Sequence, residues 1–224
     1  MADKTLFITG ASSGIGAATA RMAVAQGWKV GLFARSADKL DALVEGLGDK
    51  ALALPGDATQ LAEQQEAVDK LAAHFGDVTA AFANAGRGAS AAGTLQGEPD
   101  DWQSLVNLNV MGVLWTAKVV APYFQKNQGH LILTGSAAGR MHIKGSVYSA
   151  TKWFVHGYAG NLADEFREWG ARVTVIAPGM VDTPFFDAAK PEKLKSEDIA
   201  SSVLFALEAA PRASIREVFI MPMN

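Results

Sequence analysis

Tyr148 and Lys152 stand four residues apart in Val147-Tyr148-Ser149-Ala150-Thr151-Lys152. On a helix that spacing brings both side chains out on one face, about 6 Å apart along the axis. A free tyrosine titrates near about 10, too high for efficient proton exchange at neutral pH. A neighbouring ammonium favours the phenolate and lowers that value. The pair can therefore protonate a carbonyl being reduced, or deprotonate an alcohol being oxidised. A tyrosine beside a solvated lysine is also a common surface pair, so the spacing alone defines no site. Ser136, twelve residues upstream in Leu133-Thr134-Gly135-Ser136-Ala137, adds a hydroxyl able to hold a substrate oxygen. Without the tyrosine it would read as a turn or cap serine.

A second group of residues suits an anion. In Thr9-Gly10-Ala11-Ser12-Ser13-Gly14-Ile15-Gly16, the glycines at 10, 14 and 16 allow a tight turn and a close approach to a pyrophosphate. The helix beginning there points free N–H groups and its positive dipole end at the phosphates. The spacing is GxxxGxG, which differs from the general GxGxxG fingerprint. Arg35 follows Gly31-Leu32-Phe33-Ala34, where an acidic residue would instead bind a ribose hydroxyl. Its planar fork suits a 2′-phosphate, and Ser12, Ser13 and Ser36 can add hydroxyl contacts, so NADP is favoured over NAD. Asp57, followed by Ala58, either contacts the adenine amino group or caps the next helix. Asn84-Ala85-Gly86 is either a plain turn or a place where a cofactor passes close to the sheet.

These groups need a scaffold. Apolar runs at Thr5–Thr9, Trp28–Ala34, Ala51–Leu54, Val78–Ala83, His130–Thr134, Arg172–Ala177 and Glu217–Met221 read as strands. Between them lie amphipathic segments such as Gly14–Gln26, Leu61–His74, Trp102–Gln125, Tyr148–Glu168 and Glu197–Ala209. The alternation predicts α/β architecture: one Rossmann-type doubly wound domain over residues 1–224, with about seven parallel strands and helices on both faces. Ligands of such a sheet bind beyond the carboxyl ends of its strands. Thr9-Gly10, Arg35, Asp57, Asn84-Ala85-Gly86, Ser136 and Pro178-Gly179 all fall there.

Composition narrows the function. A net charge of -3 offers no basic field for nucleic acid. The absence of cysteine removes disulfides and thiolate metal sites, and no metal is expected. No apolar stretch approaches a membrane span, and Met1–Thr5 runs straight into a strand without a leader pattern, so a cytoplasmic protein is expected.

Together the residues resemble the short-chain dehydrogenase/reductase family in its compact single-domain branch. The resemblance rests on Thr9–Gly16, Asn84-Ala85-Gly86, Asn109-Val110-Met111-Gly112, Ser136, Tyr148–Lys152, and Pro178-Gly179 with Thr183. It implies a tetrad of Asn109, Ser136, Tyr148 and Lys152. In it the Asn holds a water linking the Lys to solvent, the Ser positions the carbonyl, and the Tyr transfers the proton. The Lys also bonds the nicotinamide ribose, and Pro178, Gly179, Val181 and Thr183 contact the nicotinamide end. Only the resemblance selects Asn109 over the equally polar Asn107. Ala83 departs from the Asn frequent in the family. Val147–Trp153 and the tail Ser196–Pro222 are similar to NADP-dependent 3-hydroxy acid dehydrogenase and clavaldehyde-reductase-like members.

The substrate is expected to be a small carbonyl compound or alcohol with an apolar body. Met141, His142, Val147, Met180, Phe185 and Phe186 are expected to line its pocket, beside a substrate loop over about residues 180–196. The resemblance implies a homodimer or homotetramer, with the helices Trp102–Gln125 and Tyr148–Glu168 packed across a two-fold axis; Trp115, Phe154 and Tyr158 fit either that contact or core packing. A 3-oxoacyl thioester reductase and a non-catalytic NADP(H)-sensing regulator are the alternatives. The first lacks a clear basic cluster for a carrier protein, and the second has no use for a tuned proton donor.

Overall fold

The computed structural model describes residues 4–91 and 93–223, so Met1–Asp3, part of the segment read as leaderless, lie outside the described residues. Seven strands form one all-parallel sheet: β1 (Thr5–Thr9), β2 (Lys29–Ala34), β3 (Ala51–Pro55), β4 (Ala80–Ala83), β5 (His130–Thr134), β6 (Arg172–Pro178) and β7 (Glu217–Ile220). Their spatial order is β3-β2-β1-β4-β5-β6-β7. The order reverses between β1 and β4, the switch point where a doubly wound sheet opens a crevice.

Side-chain alternation divides the core in two, because successive residues of a strand face opposite sides. Leu6, Ile8, Val30, Leu32, Ile132 and Ile176 face α1 (Gly14–Ala25), α2 (Ala37–Leu47) and α7 (Ser196–Leu207). Phe7, Phe33, Leu131, Leu133, Val173 and Val175 face the other layer. That layer is α3 (Leu61–Phe75), α5 (Gly112–Asn127) and α6 (Val147–Arg167). Burial on both faces explains why the strands read as continuous apolar runs.

Three elements depart from the sequence reading. No helix was named between β2 and β3, yet α2 crosses there. Its apolar face is thin, with Leu40 and Leu43 as its buried residues, and the parallel pairing of β2 with β3 is what requires the crossover. The helix expected over Trp102–Gln125 begins earlier, as α4 (Pro99–Val106) with a proline in its first turn. It is then interrupted by a π-turn over Asn107–Met111 before α5. The strand expected from Val78 begins at Ala80.

Residues 99–127 do reach membrane-span length and apolarity, contrary to the sequence reading. The stretch is a core helix: Val113, Ala117, Val119, Val120 and Phe124 bury one face against the sheet. Phe154 and Tyr158, read either at a subunit contact or in core packing, stack at 5.5 Å and pack against the same core.

Phe166 is 1% exposed and meets Phe124 edge-on at 6.3 Å and Trp169 at 4.7 Å. Phe166→Ala should destabilise the chain by about 3–5 kcal/mol through the cavity it leaves, read as a lowered urea midpoint at unchanged slope.

Candidate active site

The carboxyl edge of the sheet opens into a cleft of about 1230 Å³. Its nucleotide side starts at the turn after β1. Gly10 has φ +67°, and a Cβ there would lie 2.9 Å from the Ala85 Cα. Ser12, Ser13, Gly14 and Ile15 line the cleft, whereas Gly16 is not among its lining residues. A Cβ on Gly16 would fall 2.4 Å from the Gly10 carbonyl oxygen, so this glycine lets α1 pack on its own entry turn. Ser13 is the N-cap of α1 but makes no side-chain cap bond, which leaves first-turn N–H groups for an anion. Arg35 stands exposed on the rim beside Ser36, and its guanidinium has no partner among the described residues.

Asp57 and Ala58 also line the cleft. Asp57 does not cap the following helix, whose N-cap is Gln60; its Oδ1 instead accepts from the Thr59 N–H at 2.9 Å within the turn before α3. Asn84 ties three strand ends together. Its Nδ2 donates to the carbonyls of Thr9 (3.1 Å) and Gly10 (3.3 Å), and its Oδ1 accepts from the Thr134 hydroxyl at 3.3 Å. The Thr9 hydroxyl accepts from the N–H groups of Asn84 and Ala85, both at 3.1 Å.

The other side of the cleft brings Ser136, Tyr148 and Lys152 together. Ser136 follows β5 in extended backbone, and its hydroxyl accepts from the Ala138 N–H at 3.1 Å. Ser146 caps α6 through the Ser149 N–H at 3.1 Å, so Tyr148 and Lys152 occupy its first turns. Lys152 is 5% exposed. Its ammonium donates to the Thr134 carbonyl at 2.7 Å and lies 5.7 Å from the centre of the Tyr148 ring. Burial pulls its pKa down to about 8.

Tyr148 goes the other way from the sequence expectation. Burial raises its pKa, while the hydrogen bond with Ser136 opposes the rise. Desolvation is the larger of the two causes, which favours the neutral phenol.

Asn109 is 1% exposed and lies in the π-turn, an element often found at functional positions. Its Oδ1 accepts from the Arg87 N–H at 2.9 Å, and its Nδ2 donates to the Arg87 carbonyl (2.9 Å) and the Thr151 hydroxyl (3.2 Å). Oδ1 and the Lys152 ammonium converge over Gly86, where a Cβ would lie 3.3 and 3.8 Å from them. Asn107 lines the outer cleft.

Pro178, Gly179, Met180, Val181 and Thr183 line the cleft where β6 ends, and a Cβ on Gly14 would lie 3.4 Å from the Thr183 side chain. Met141, Phe185 and Phe186 also line it, with the Phe185 ring 5.6 Å from that of Tyr148. His142 and Val147 do not, contrary to expectation. His142 stacks on half-exposed Trp153 at 5.6 Å, outside the cleft. Val147 adjoins Tyr148 on α6, and a helix turns neighbouring side chains apart by about 100°. Sequence reading missed Ile143, Arg87 and Met221, which also line the cleft. Arg87 pairs with Asp101, whose carboxyl is held down at about 2 by the Ser90 backbone N–H and then by Arg87. No motif marks that pair, since it joins residues fourteen apart across an irregular segment.

Fold and cleft together define a nucleotide-binding α/β protein of Rossmann type. The chain belongs to the short chain dehydrogenase family, whose pattern matches residues 4–194. It is 35% identical to an uncharacterized oxidoreductase of Staphylococcus aureus (strain MRSA252), over 100% of this chain and 99% of that one. An alcohol dehydrogenase from the archaeon Thermococcus sibiricus, solved with 5-hydroxy-NADP, superposes with TM-score 0.91 at 26% identity, covering 98% of this chain and 97% of the other. A 3-ketoacyl-(acyl-carrier-protein) reductase from Brucella melitensis, solved with NADH, gives TM-score 0.88 at 26% identity, covering 96% of each chain. The protein is an oxidoreductase that uses a nicotinamide cofactor.

The buried lysine predicts a pH effect on stability. Its folded pKa of about 8 lies below the ordinary 10.5. Between those values the unfolded chain binds more protons, so stability rises with pH through that window. Lys152→Met should remove this rise, seen by comparing urea midpoints of both proteins from neutral pH to about 10.

Proposed function

We propose that this chain is an NADP(H)-dependent carbonyl reductase or alcohol dehydrogenase acting on small carbonyl compounds and alcohols with an apolar body. The observation that carries the reading is the meeting of Ser136, Tyr148 and Lys152 beneath a wall formed by Met141, Met180, Phe185 and Phe186. The glycine turn, the uncapped start of α1 and Arg35 fit the pyrophosphate and 2′-phosphate of the cofactor.

The bound nicotinamide supplies or accepts the hydride. Tyr148, a phenol kept protonated by burial, donates its proton to the oxygen of a carbonyl substrate. The Ser136 hydroxyl donates a hydrogen bond to the same oxygen and holds it against the tyrosine. Lys152 offers its ammonium to the ribose and stabilises negative charge as the phenol gives up its proton. Asn109 keeps one lone pair on Oδ1 beside Lys152, which suits a water linking that ammonium to solvent. Pro178, Gly179, Val181 and Thr183 form the wall at the nicotinamide end.

Likeness to the 3-ketoacyl reductase favours a second reading, reduction of a 3-oxoacyl thioester. A panel of aldehydes, ketones, hydroxy acids, sugar alcohols and acetoacetyl-CoA, followed by NADPH absorbance, separates the two. Tyr148→Phe should lower turnover by about a hundredfold or more while NADPH binding persists; substantial residual turnover would remove the tyrosine from the mechanism. Arg35→Asp should weaken NADPH by roughly ten- to a hundredfold and leave NADH little changed. An unchanged ratio of the two cofactors' KM values would break the 2′-phosphate assignment.

A further inference from the structure

A polar cluster of His156, Arg140 and Glu217 lies next to the Ser136 loop, outside the residues that line the cleft, and no motif contains it. His156, one turn beyond Lys152 on α6, brings Nε2 to 3.2 Å from the Ser136 carbonyl oxygen. A carbonyl can only accept, so Nε2 carries the hydrogen and the imidazole donates it. The same carbonyl accepts from the Gly139 N–H at 2.9 Å. The ring is fitted between the two glycines that bracket the loop. A Cβ on Gly135 would lie 2.8 Å from His156 Nε2, and one on Gly139 would lie 2.6 Å from Cδ2.

The imidazole Nδ1, unprotonated when Nε2 carries the hydrogen, lies 3.7 Å from Glu217 Oε1 on edge strand β7, beyond hydrogen-bond reach, and Arg140 grips both oxygens of that carboxylate, Oε1 at 2.7 Å. The His156 and Glu217 side chains are 12% and 19% exposed. Burial, first, lowers the His156 pKa, and Arg140 and Lys152 add to the shift. Ser149, Lys152 and His156 thus present three polar groups from one face of α6 to the ends of β5. Ser149 donates to the Ala138 carbonyl at 2.7 Å, Lys152 to that of Thr134 and His156 to that of Ser136. Of these three, His156 binds the serine's own peptide group.

We propose that His156 is a positioning residue for the reaction, setting the Ser136 hydroxyl against the substrate oxygen through the serine's carbonyl, with the imidazole held between Gly135 and Gly139. The proposal rests on the role of Ser136 given above. A serine displaced by a fraction of an ångström loses orientation toward the oxygen, and misplacement near about 1 Å is enough for a hundredfold loss of rate.

The test uses the full-length chain with NADPH and ethyl benzoylformate, a ketone activated by its ester and carrying an aromatic body. His156→Phe keeps a ring but loses the donor. It should lower kcat about tenfold or more, with the KM for NADPH and the unfolding midpoint near wild type. His156→Gln, which returns an N–H at similar reach, should recover most of that turnover. If the Phe variant fails to fold, His156→Asn, whose amide stops short of the carbonyl, takes its place with the same expected loss. Ser136→Ala supplies the control, and the double variant should be no slower than Ser136→Ala alone, because the histidine acts through the serine. A His156→Phe enzyme with wild-type kcat, or losses that multiply in the double variant, would overturn the proposal while leaving Ser136 in place. Wild-type turnover in Ser136→Ala would overturn both.

Discussion

Everything at the catalytic edge depends on how the sheet is held where its connections change sides, between β1 and β4. The helices after those strands leave on opposite faces, so the strand ends diverge and would expose unpaired backbone groups. Thr9 and Asn84 satisfy them: one hydroxyl accepts two N–H groups, and one amide donates to two carbonyls while reaching Thr134 on β5. Buried backbone polar groups left without partners are costly, so this knot is as much a condition of the fold as the apolar core. It also sets the floor of the cleft, because Gly10, Ala85 and Thr134 are fixed relative to one another by the same bonds.

Thr134 carries that rigidity into the chemistry. Its carbonyl receives the Lys152 ammonium, which is buried and has no carboxylate beside it among the described residues. A lone buried cation is unfavourable, and its lowered pKa expresses that cost. The arrangement persists because α6 is anchored elsewhere, by Val155, Leu162 and Phe166 in the core and by the Ser146 cap at its start. Packing energy from the helix body thus holds a strained electrostatic arrangement at its first turns, and leaves Tyr148 as a protonated phenol in the cleft.

Much of this was legible in the chain. Strand runs, the glycine turn, Arg35, Ser136 and the Tyr148–Lys152 spacing are local signals, carried by residue types and short periods. Asn109 was legible only through resemblance, since a lone asparagine in an apolar helix has no local signature that separates it from Asn107. Helix α2 escaped because two buried leucines make a weak pattern, and the topology rather than the helix itself required a crossover there. His142 and Val147 were misplaced for a related reason. Proximity in sequence to Tyr148 does not say which way a side chain turns.

What the sequence determined by itself is the set of parts: parallel strands buried on both faces, a glycine-rich turn after the first, and a tyrosine and lysine held to one helix face. Those follow from propensity and periodicity, which act over a few residues. Only the tertiary structure decided the electrostatics of the site. It buried Tyr148 and Lys152 together, so that desolvation raises the one pKa and lowers the other. It also brought His156 and Glu217, sixty-one positions apart, next to the serine's loop. Desolvation and long-range contact depend on which surfaces meet after folding, and no local pattern encodes that.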